Sequence, residues 1–563
     1  MVKRKKVDPK ELERRKHRKD VREVFRNIGF KKVNGISDKT FEFEGRKGDF
    51  DDIFVLENVI VFAEYTCSDK IKNVHDHLLG KKVLFDLILS KKKEFIEFFE
   101  GKFEEFKKIR DHKYTASQCQ LVILYSSKPD PDKEHKKHLP EVKFFDYPIL
   151  QYFLSISKVI RKSERFELFD FLGLEYNNIG EKILASSTSN SEMYEGHILP
   201  EEHSSFSTGF KVVSFYIDAE SLIKRAYVLR KAGWKVVDGM YQRMILRSKI
   251  NSMRKYLNDK NRVFVNNIIV SLPSSETKLF DEKENIVKGD ITKTQPVKIQ
   301  IKEGFNLIGL IDGQHRVYAY HEGIDQYEKK IAELRKIQNL LVTGIIYPST
   351  LDDDQRTEFE ANLFLEINSN QSVADSELRQ SIQVILEPFT NMAIAKAIVT
   401  QLGQEDGPLK GCLKLYFFDK KALPTTSIVS YGLIPLVKTT GNDSLFSIWK
   451  NADKNDLISK KSKKLLDEYR TYCVSEINLF LSAYKNNIPD NLWTTDKKIS
   501  RFLTTTTING LISCLRLLIE NKKTGDFNYY NSKLKDIDKF NFKTYKSSQW
   551  RSLGKELYDK YFV

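Results

Sequence analysis

Residues 41–66 read Phe41-Glu-Phe-Glu-Gly-Arg-Lys-Gly-Asp-Phe50-Asp51-Asp-Ile-Phe-Val-Leu-Glu57-Asn58-Val59-Ile-Val-Phe-Ala-Glu64-Tyr-Thr66. The apolar run that opens after Asp51 predicts one strand, Glu57-Asn58 predicts a turn, and Val59 to Thr66 predicts a returning strand. Successive strand side chains alternate between faces, so Glu64 and Thr66, two apart, share one face. Asp51 starts one strand and Glu64 lies on its neighbour. Two carboxylates so placed can hold a divalent cation, and a cation there activates water against a phosphodiester. Acidic residues at strand ends are also common on solvated edges, so a surface role for both stays open.

Outward from this hairpin, Asp20 to Ile28 is helix-like and carries Glu23, a candidate accessory carboxylate. On the other side Lys72 to Leu89 is helix-like and carries His75-Asp76-His77. A His-x-His pair can bind metal on a strand, but two residues apart on a helix point to different faces. A solvated helix face with one packed histidine is the simpler reading. That helix follows the strand directly, so it is a neighbour for Glu64.

The hairpin resembles the core of the PD-(D/E)XK nuclease superfamily, a helix and a strand hairpin carrying Asp, then Glu-x-Lys. Asp51 matches the Asp and Glu64 the Glu, whereas Thr66 stands where the family has its lysine. The resemblance implies a restriction-endonuclease-like α/β domain and metal-dependent DNA cleavage with Mg2+ or Mn2+ held by Asp51, Glu64 and Glu23. Threonine cannot supply the lysine's charge, and Lys70 or Lys72, just downstream, are the candidates to replace it. The departure leaves a second reading, a DNA-binding relative without catalysis.

At 563 residues the chain predicts about two to four domains. Its 40% hydrophobic and 30% charged composition describes a globular protein, not a disordered one. No run of eighteen apolar residues and no signal-peptide pattern is present, which predicts a cytoplasmic protein with no membrane partner. Cys67, Cys119, Cys412, Cys473 and Cys514 lack metal-ligand spacing and are expected to be reduced, buried thiols. A net charge of +16 points to a polyanionic partner such as DNA. Residues 1–19 concentrate Lys and Arg and read either as a phosphate-binding arm or as a solvated, partly helical tail.

A second informative run is Ile308-Gly-Leu-Ile-Asp312-Gly313-Gln314-His315-Arg316-Val-Tyr-Ala-Tyr320. An apolar strand stops at an Asp-Gly turn, and a helix-compatible segment begins with Gln, His and Arg. Those side chains stand beside the free N–H groups of a helix start, where a phosphate is favoured. The plainer reading is a helix capped by Asp312, with Gly313 serving the turn.

This run resembles the name-giving motif of the DGQHR-domain family, which includes DndB-like proteins associated with DNA phosphorothioation. Tyr241-Gln242-Arg243, the strand Asn267 to Leu272, and Phe364-Leu-Glu-Ile-Asn368-Ser-Asn-Gln371 agree with other family elements. More remotely the motif is similar to ParB/sulfiredoxin-like folds and to the Asp-Gly-Gln-Gln-Arg motif of restriction-associated NTPases. The resemblance implies a nucleotide- or DNA-phosphate-binding loop, with Arg316 clamping phosphate and Gln314 orienting a water or an oxygen. His315 in place of the second Gln puts hydrolysis in doubt. Asn368 and Gln371 either meet the same pocket or form a helix cap and turn. Arg243 is either a second phosphate contact or a surface charge. No P-loop is present.

The expected layout is a mixed α/β chain: a basic arm (1–19), a PD-(D/E)XK nuclease-like domain (20–175), a polar linker (176–208), a ParB-like DGQHR domain (209–374) and a helical C-terminal region (375–563). The aromatic and lysine residues of that last region, including Trp550, are either core or base-stacking groups. The combined expectation is a DNA-acting protein of bacterial defence or DNA modification, with a metal-dependent endonuclease the possible enzyme. The alternatives are a non-catalytic DndB-like regulator and an NTP hydrolase acting through the DGQHR pocket. Expected partners are DNA, an NTP, and either a second copy of the chain or other defence and modification proteins.

Overall fold

The first helix, α1 (Pro9–Ile28), starts where the Asp8 carboxylate accepts the Lys10 N–H. It stops at Gly29, whose φ of 110° is the left-handed cap glycine adopts without strain. α1 runs unbroken through residue 19, so the stretch expected as a separate arm is the first half of this helix from Pro9 on. The computed structural model describes residues 8–68, 70–184, 192–230, 244–287, 291–369, 376–416, 418–497 and 502–563.

After α1 come β1 (Lys31–Lys32), a small hairpin of β2 (Phe41–Phe43) and β3 (Arg46–Gly48), then β4 (Asp52–Leu56) and β5 (Val59–Cys67). Glu57, at φ 52°, and Asn58 make the expected turn, and buried Asn58 ties it to Gln118, Asn178 and Gly180 through its side-chain amide. The helices α2 (Ile71–Ser90), α3 (Lys92–Lys102) and α4 (Glu104–Ile109) then cross back to β6 (Gln120–Lys128), which pairs parallel to β5. α5 (Lys133–Lys137), β7 (Lys143–Phe144), α6 (Tyr147–Ile160), α7 (Arg165–Phe171) and α8 (Glu181–Leu184) complete the module. The five-stranded sheet has the order β1-β4-β5-β6-β7.

Strand alternation divides this sheet into two faces. Phe54, Val59, Val61, Ala63 and Tyr65 join the core that contains α1 and α6. Ile53, Val55, Ile60 and Phe62 join the phenylalanine-rich core under α2, α3 and α4. By the same parity Asp51 and Glu64 belong with the second set and Asp52 with the first.

The central module consists of β8 (Glu192–Ile198), α9 (Glu201–Ser204), β9 (Lys211–Asp218), α10 (Ala219–Arg225), β10 (Ala226–Tyr227), α11 (Arg247–Lys260), β11 (Ile268–Pro273), β12 (Thr277–Phe280), β13 (Gln295–Ile301), β14 (Ile308–Asp312), α12 (Gln314–Tyr318), α13 (Glu328–Ile337) and β15 (Asn339–Tyr347). Its eight strands order as β10-β14-β11-β15-β9-β8-β13-β12, mostly antiparallel, with β11 parallel to β15 and β10 parallel to β14. β8 lies inside the stretch expected as a linker and pairs with β9 and β13. The two sheets share one continuous core: Phe305 packs its ring 5.8 Å from Phe166 and 5.7 Å from Phe169. Residues 1–236 and 242–356 accordingly form one compact unit.

The second unit, residues 357–563, is helical where described. α14 (Asp353–Ser369) belongs to it beyond the first turn, followed by α15 (Ser376–Leu386) and α16 (Asn391–Gln404). A single helix is expected over 377–401, and the break falls at Pro388, which disfavours helix at the residue before it. The helices Lys463–Asn487, Thr505–Glu520 and Trp550–Tyr561 supply much of the remaining core. Trp550 is buried and stacks on Tyr431. The molecule is thus mixed α/β with a helical C-terminal region. Among the described residues no single helix is long and apolar enough to cross a membrane. All five cysteines are unpaired, with Cys67 and Cys412 half-buried.

Candidate active site

Asp51 is locked across β5. Its N–H donates to the Ala63 carbonyl (3.1 Å), and its Oδ2 accepts the Tyr65 N–H at 2.6 Å, so the carboxylate lies alongside position 64. Asp51 and Glu64 are both buried, 5% and 4% exposed. Burial, and then the Glu64 carboxylate, push the Asp51 carboxyl up to about 7; the Tyr65 N–H and the Arg18 guanidinium in contact with it pull the other way. Glu64 Oε1 takes the Lys81 ammonium at 3.0 Å and stands 3.3 Å from His77 Nε2. Glu64 Oε2 is buried and has no hydrogen-bond partner among the described residues. A buried anionic oxygen left bare is costly, and a bound cation is one way to satisfy it. The groups that could hold a hard cation here are the bare Glu64 oxygen and the neighbouring Asp51 carboxyl, whose own oxygens are taken by Arg18 and the Tyr65 N–H.

No family model, curated protein or solved structure matches this chain. The residues themselves carry the reading.

A lysine other than the expected ones reaches Glu64, namely Lys81. Its Nζ bridges Glu64 Oε1 and Asp49 Oδ1, the latter at 2.9 Å, and it is drawn from α2 rather than from the strand. Lys70 and Lys72 are both exposed, and Lys70 sits at the N-cap of α2 with its own N–H donated to Ser68 Oγ. Thr66 has a different part: its Oγ1 lies 3.0 Å from His77 Nδ1, and the Tyr125 hydroxyl is 3.0 Å from the same nitrogen. His77 and Lys81 are four apart on α2, so one helix face presents both to Glu64. Glu23 is not part of this group; it turns toward α6, with Lys158 at 3.4 Å. Asp52, the other carboxylate of the pair, faces α1 and is neutralised there by Arg22 (2.6 and 3.1 Å) and Lys32 (2.8 Å).

The Asp-Gly-Gln-His-Arg run lies where expected, at the end of β14. Gly313 has φ 99°, and Ile268 would stand 2.6 Å from a Cβ there, so only glycine fits. α12 is five residues long, too short for a strong dipole at its start. The charge comes from side chains instead. Arg316 Nη2 donates to Asp312 Oδ2 and to the Asn267 carbonyl, both at 2.8 Å, while its buried Nε has no partner among the described residues. His315 Nε2 accepts the Leu246 N–H (3.1 Å); burial, and then Lys249, Arg230 and Arg316, press its pKa down to about 4. Gln314 Oε1 accepts from Nε of the fully buried Arg230 (3.4 Å), whose Nη1 reaches Tyr152 and Glu167, each at 3.0 Å. Arg230 thereby links the motif to α6 and α7. Asn368 belongs to the second unit and donates to the Phe364 carbonyl of its own helix (2.8 Å). Arg243 and Gln371 lie outside the described residues.

Proposed function

We propose that this chain is a DNA-acting, metal-dependent phosphodiesterase, with its hydrolytic site at Asp51, Glu64 and Lys81. The observation that carries the reading is Glu64: one oxygen is held by Lys81, and the other is buried and bare beside a second carboxylate. A divalent ion held there would lower the pKa of water, so that hydroxide is available at neutral pH to attack a phosphodiester. Asp51 and Glu64 would hold that ion. The Lys81 ammonium, fixed between Glu64 and Asp49, would offset negative charge on the attacking oxygen and on the phosphoryl oxygens of the transition state. His77, braced by Thr66 and Tyr125, keeps Glu64 in position. Exposed Arg14, Arg15, Lys16 and Lys19 on α1 offer a phosphate track on the helix whose Arg18 touches Asp51.

The cationic surroundings of His315 support a phosphate-sensing role for the central module, with a nucleotide or the DNA backbone as ligand. Supercoiled plasmid incubated with Mg2+ or Mn2+, with and without each NTP, tests the proposal. Nicked or linear product is expected, and Glu64→Gln should abolish it. DNA binding without cleavage under every condition would replace this reading with that of a non-catalytic DNA-binding regulator.

A further inference from the structure

His75 and His77 sit on opposite faces of α2, and only His77 faces Glu64. His75 points instead at α5, where it meets a second histidine and a carboxylate. Its Nε2 is 3.6 Å from Asp132 Oδ2, and His135 Nδ1 is 2.6 Å from Asp132 Oδ1. The two imidazoles stack with centroids 3.5 Å apart and planes inclined by 14°. Potential ligand atoms of all three residues lie within 4.8 Å of one another.

We infer that His75, Asp132 and His135 form a second metal site, built for a zinc-class transition ion and separate from the carboxylate site. The donor set decides the class. Two imidazoles and one carboxylate are the ligands of a four-coordinate zinc site with its last position open to water, whereas Mg2+ and Mn2+ favour all-oxygen sites. Coordination needs nitrogen and oxygen donors at about 2.0–2.2 Å from the ion. To reach that geometry the two rings splay from their stack and His75 Nε2 gives up the Asp132 N–H that it accepts at 3.4 Å. Asp132 is held in place: its Oδ1 also accepts the His135 N–H at 2.9 Å, capping α5. With His75 and His135 half-buried and Asp132 exposed, an ion can enter from solvent.

The consequence is mechanical. A bound ion would pin α5 and the chain leading out of β6 to α2, half a turn from His77 and six residues before Lys81. It would brace the helix that presents both residues to Glu64, whatever the chemistry there proves to be.

The test uses the full chain, stripped with a chelator and titrated with Zn2+ or Co2+ alone. One equivalent that depends on the two histidines should bind, raise the thermal midpoint and, for Co2+, give the visible absorption of a four-coordinate nitrogen–oxygen site, separate from any equivalent lost in Glu64→Gln. His135→Gln, on the short outer helix, should weaken binding on the order of 100-fold with the metal-free melting point little changed. His75→Gln should do the same, and Glu64→Gln should leave this binding intact. Absence of saturable binding, or binding indifferent to both histidine variants, overturns the site.

Discussion

Asp51 and His315 are titratable groups in one compact unit, and their surroundings drive them in opposite directions. Burial begins the shift in each case. At Asp51 a second carboxylate adds to it and the carboxyl rises to about 7; at His315 Lys249, Arg230 and Arg316 add to it and the imidazole falls to about 4. The bare buried atoms include an oxygen of Glu64 in one place and, in the other, nitrogens of Arg316 and Arg230 together with oxygens of Asn267 and Glu164. Among the described residues, Glu64 keeps one oxygen without a partner beside its lysine, and Arg316 and Arg230 each keep a nitrogen without one beside their carboxylates. A metal at the first and a phosphate at the second would relieve both, so the comparison bears directly on what each region binds.

The largest test is Asp51→Asn, because it separates function from stability. Cleavage should be lost, as the ion loses one of its two anionic holders. Stability should move the other way. Between pH 3.8, the ordinary carboxyl value, and about 7 the folded chain keeps a proton the unfolded chain has released. Stability therefore falls as pH rises through that window and is level above it. The span corresponds to at most about 4 kcal/mol. Asp51→Asn should melt higher than wild type at pH 8, with the gain shrinking toward zero below pH 4, measured by thermal unfolding across pH. A variant less stable at pH 8 would mean that Arg18 already neutralises Asp51, and the contrast between the regions would lose its first half.

Lys81→Met comes next. If Lys81 supplies the charge missing at Thr66, cleavage should drop about 100-fold, equivalent to about 2.7 kcal/mol in the transition state. DNA affinity should change little. Lys70→Met, an exposed cation at the start of α2, serves as the control and should cleave like wild type. Equal losses for the two variants would show only that positive charge helps DNA bind.

The hairpin was legible because strand alternation is a strict period of two: once β4 and β5 pair, parity puts Asp51 and Glu64 on one face and Asp52 on the other. The lysine was less legible, since it comes from a helix fifteen residues after Thr66. A trace of it exists in the spacing His77-x-x-x-Lys81, which shares a helix face, but only the packing of α2 shows that this face meets Glu64. Glu23 illustrates the converse error. It is one residue from Arg22 on α1, and a rotation of about 100° sends the two to different neighbours. The shared core of the two α/β modules and the strand β8 within a polar stretch had no local signal, because both depend on contacts distant in sequence. Arg230 and Lys249 were likewise invisible, since no spacing relates them to His315.

The smallest effect is expected at Arg316, and it sharpens the second half of the comparison. Arg316→Met removes charge-assisted hydrogen bonds to Asp312 and the Asn267 carbonyl. The loss should cost about 2 kcal/mol and lower the melting point by a few degrees. That cost alone would follow from a structural arginine. The discriminating reading is the response to anions: ATP or pyrophosphate should raise the melting point of the wild type, as any ligand of the folded state does, and should leave Arg316→Met nearly unmoved. His315→Gln keeps a neutral hydrogen-bonding side chain among the same cations, so it should respond as wild type does. If Arg316→Met is destabilised yet still responds in full, the positive potential around His315 serves the fold, and the phosphate-binding face of the molecule lies elsewhere.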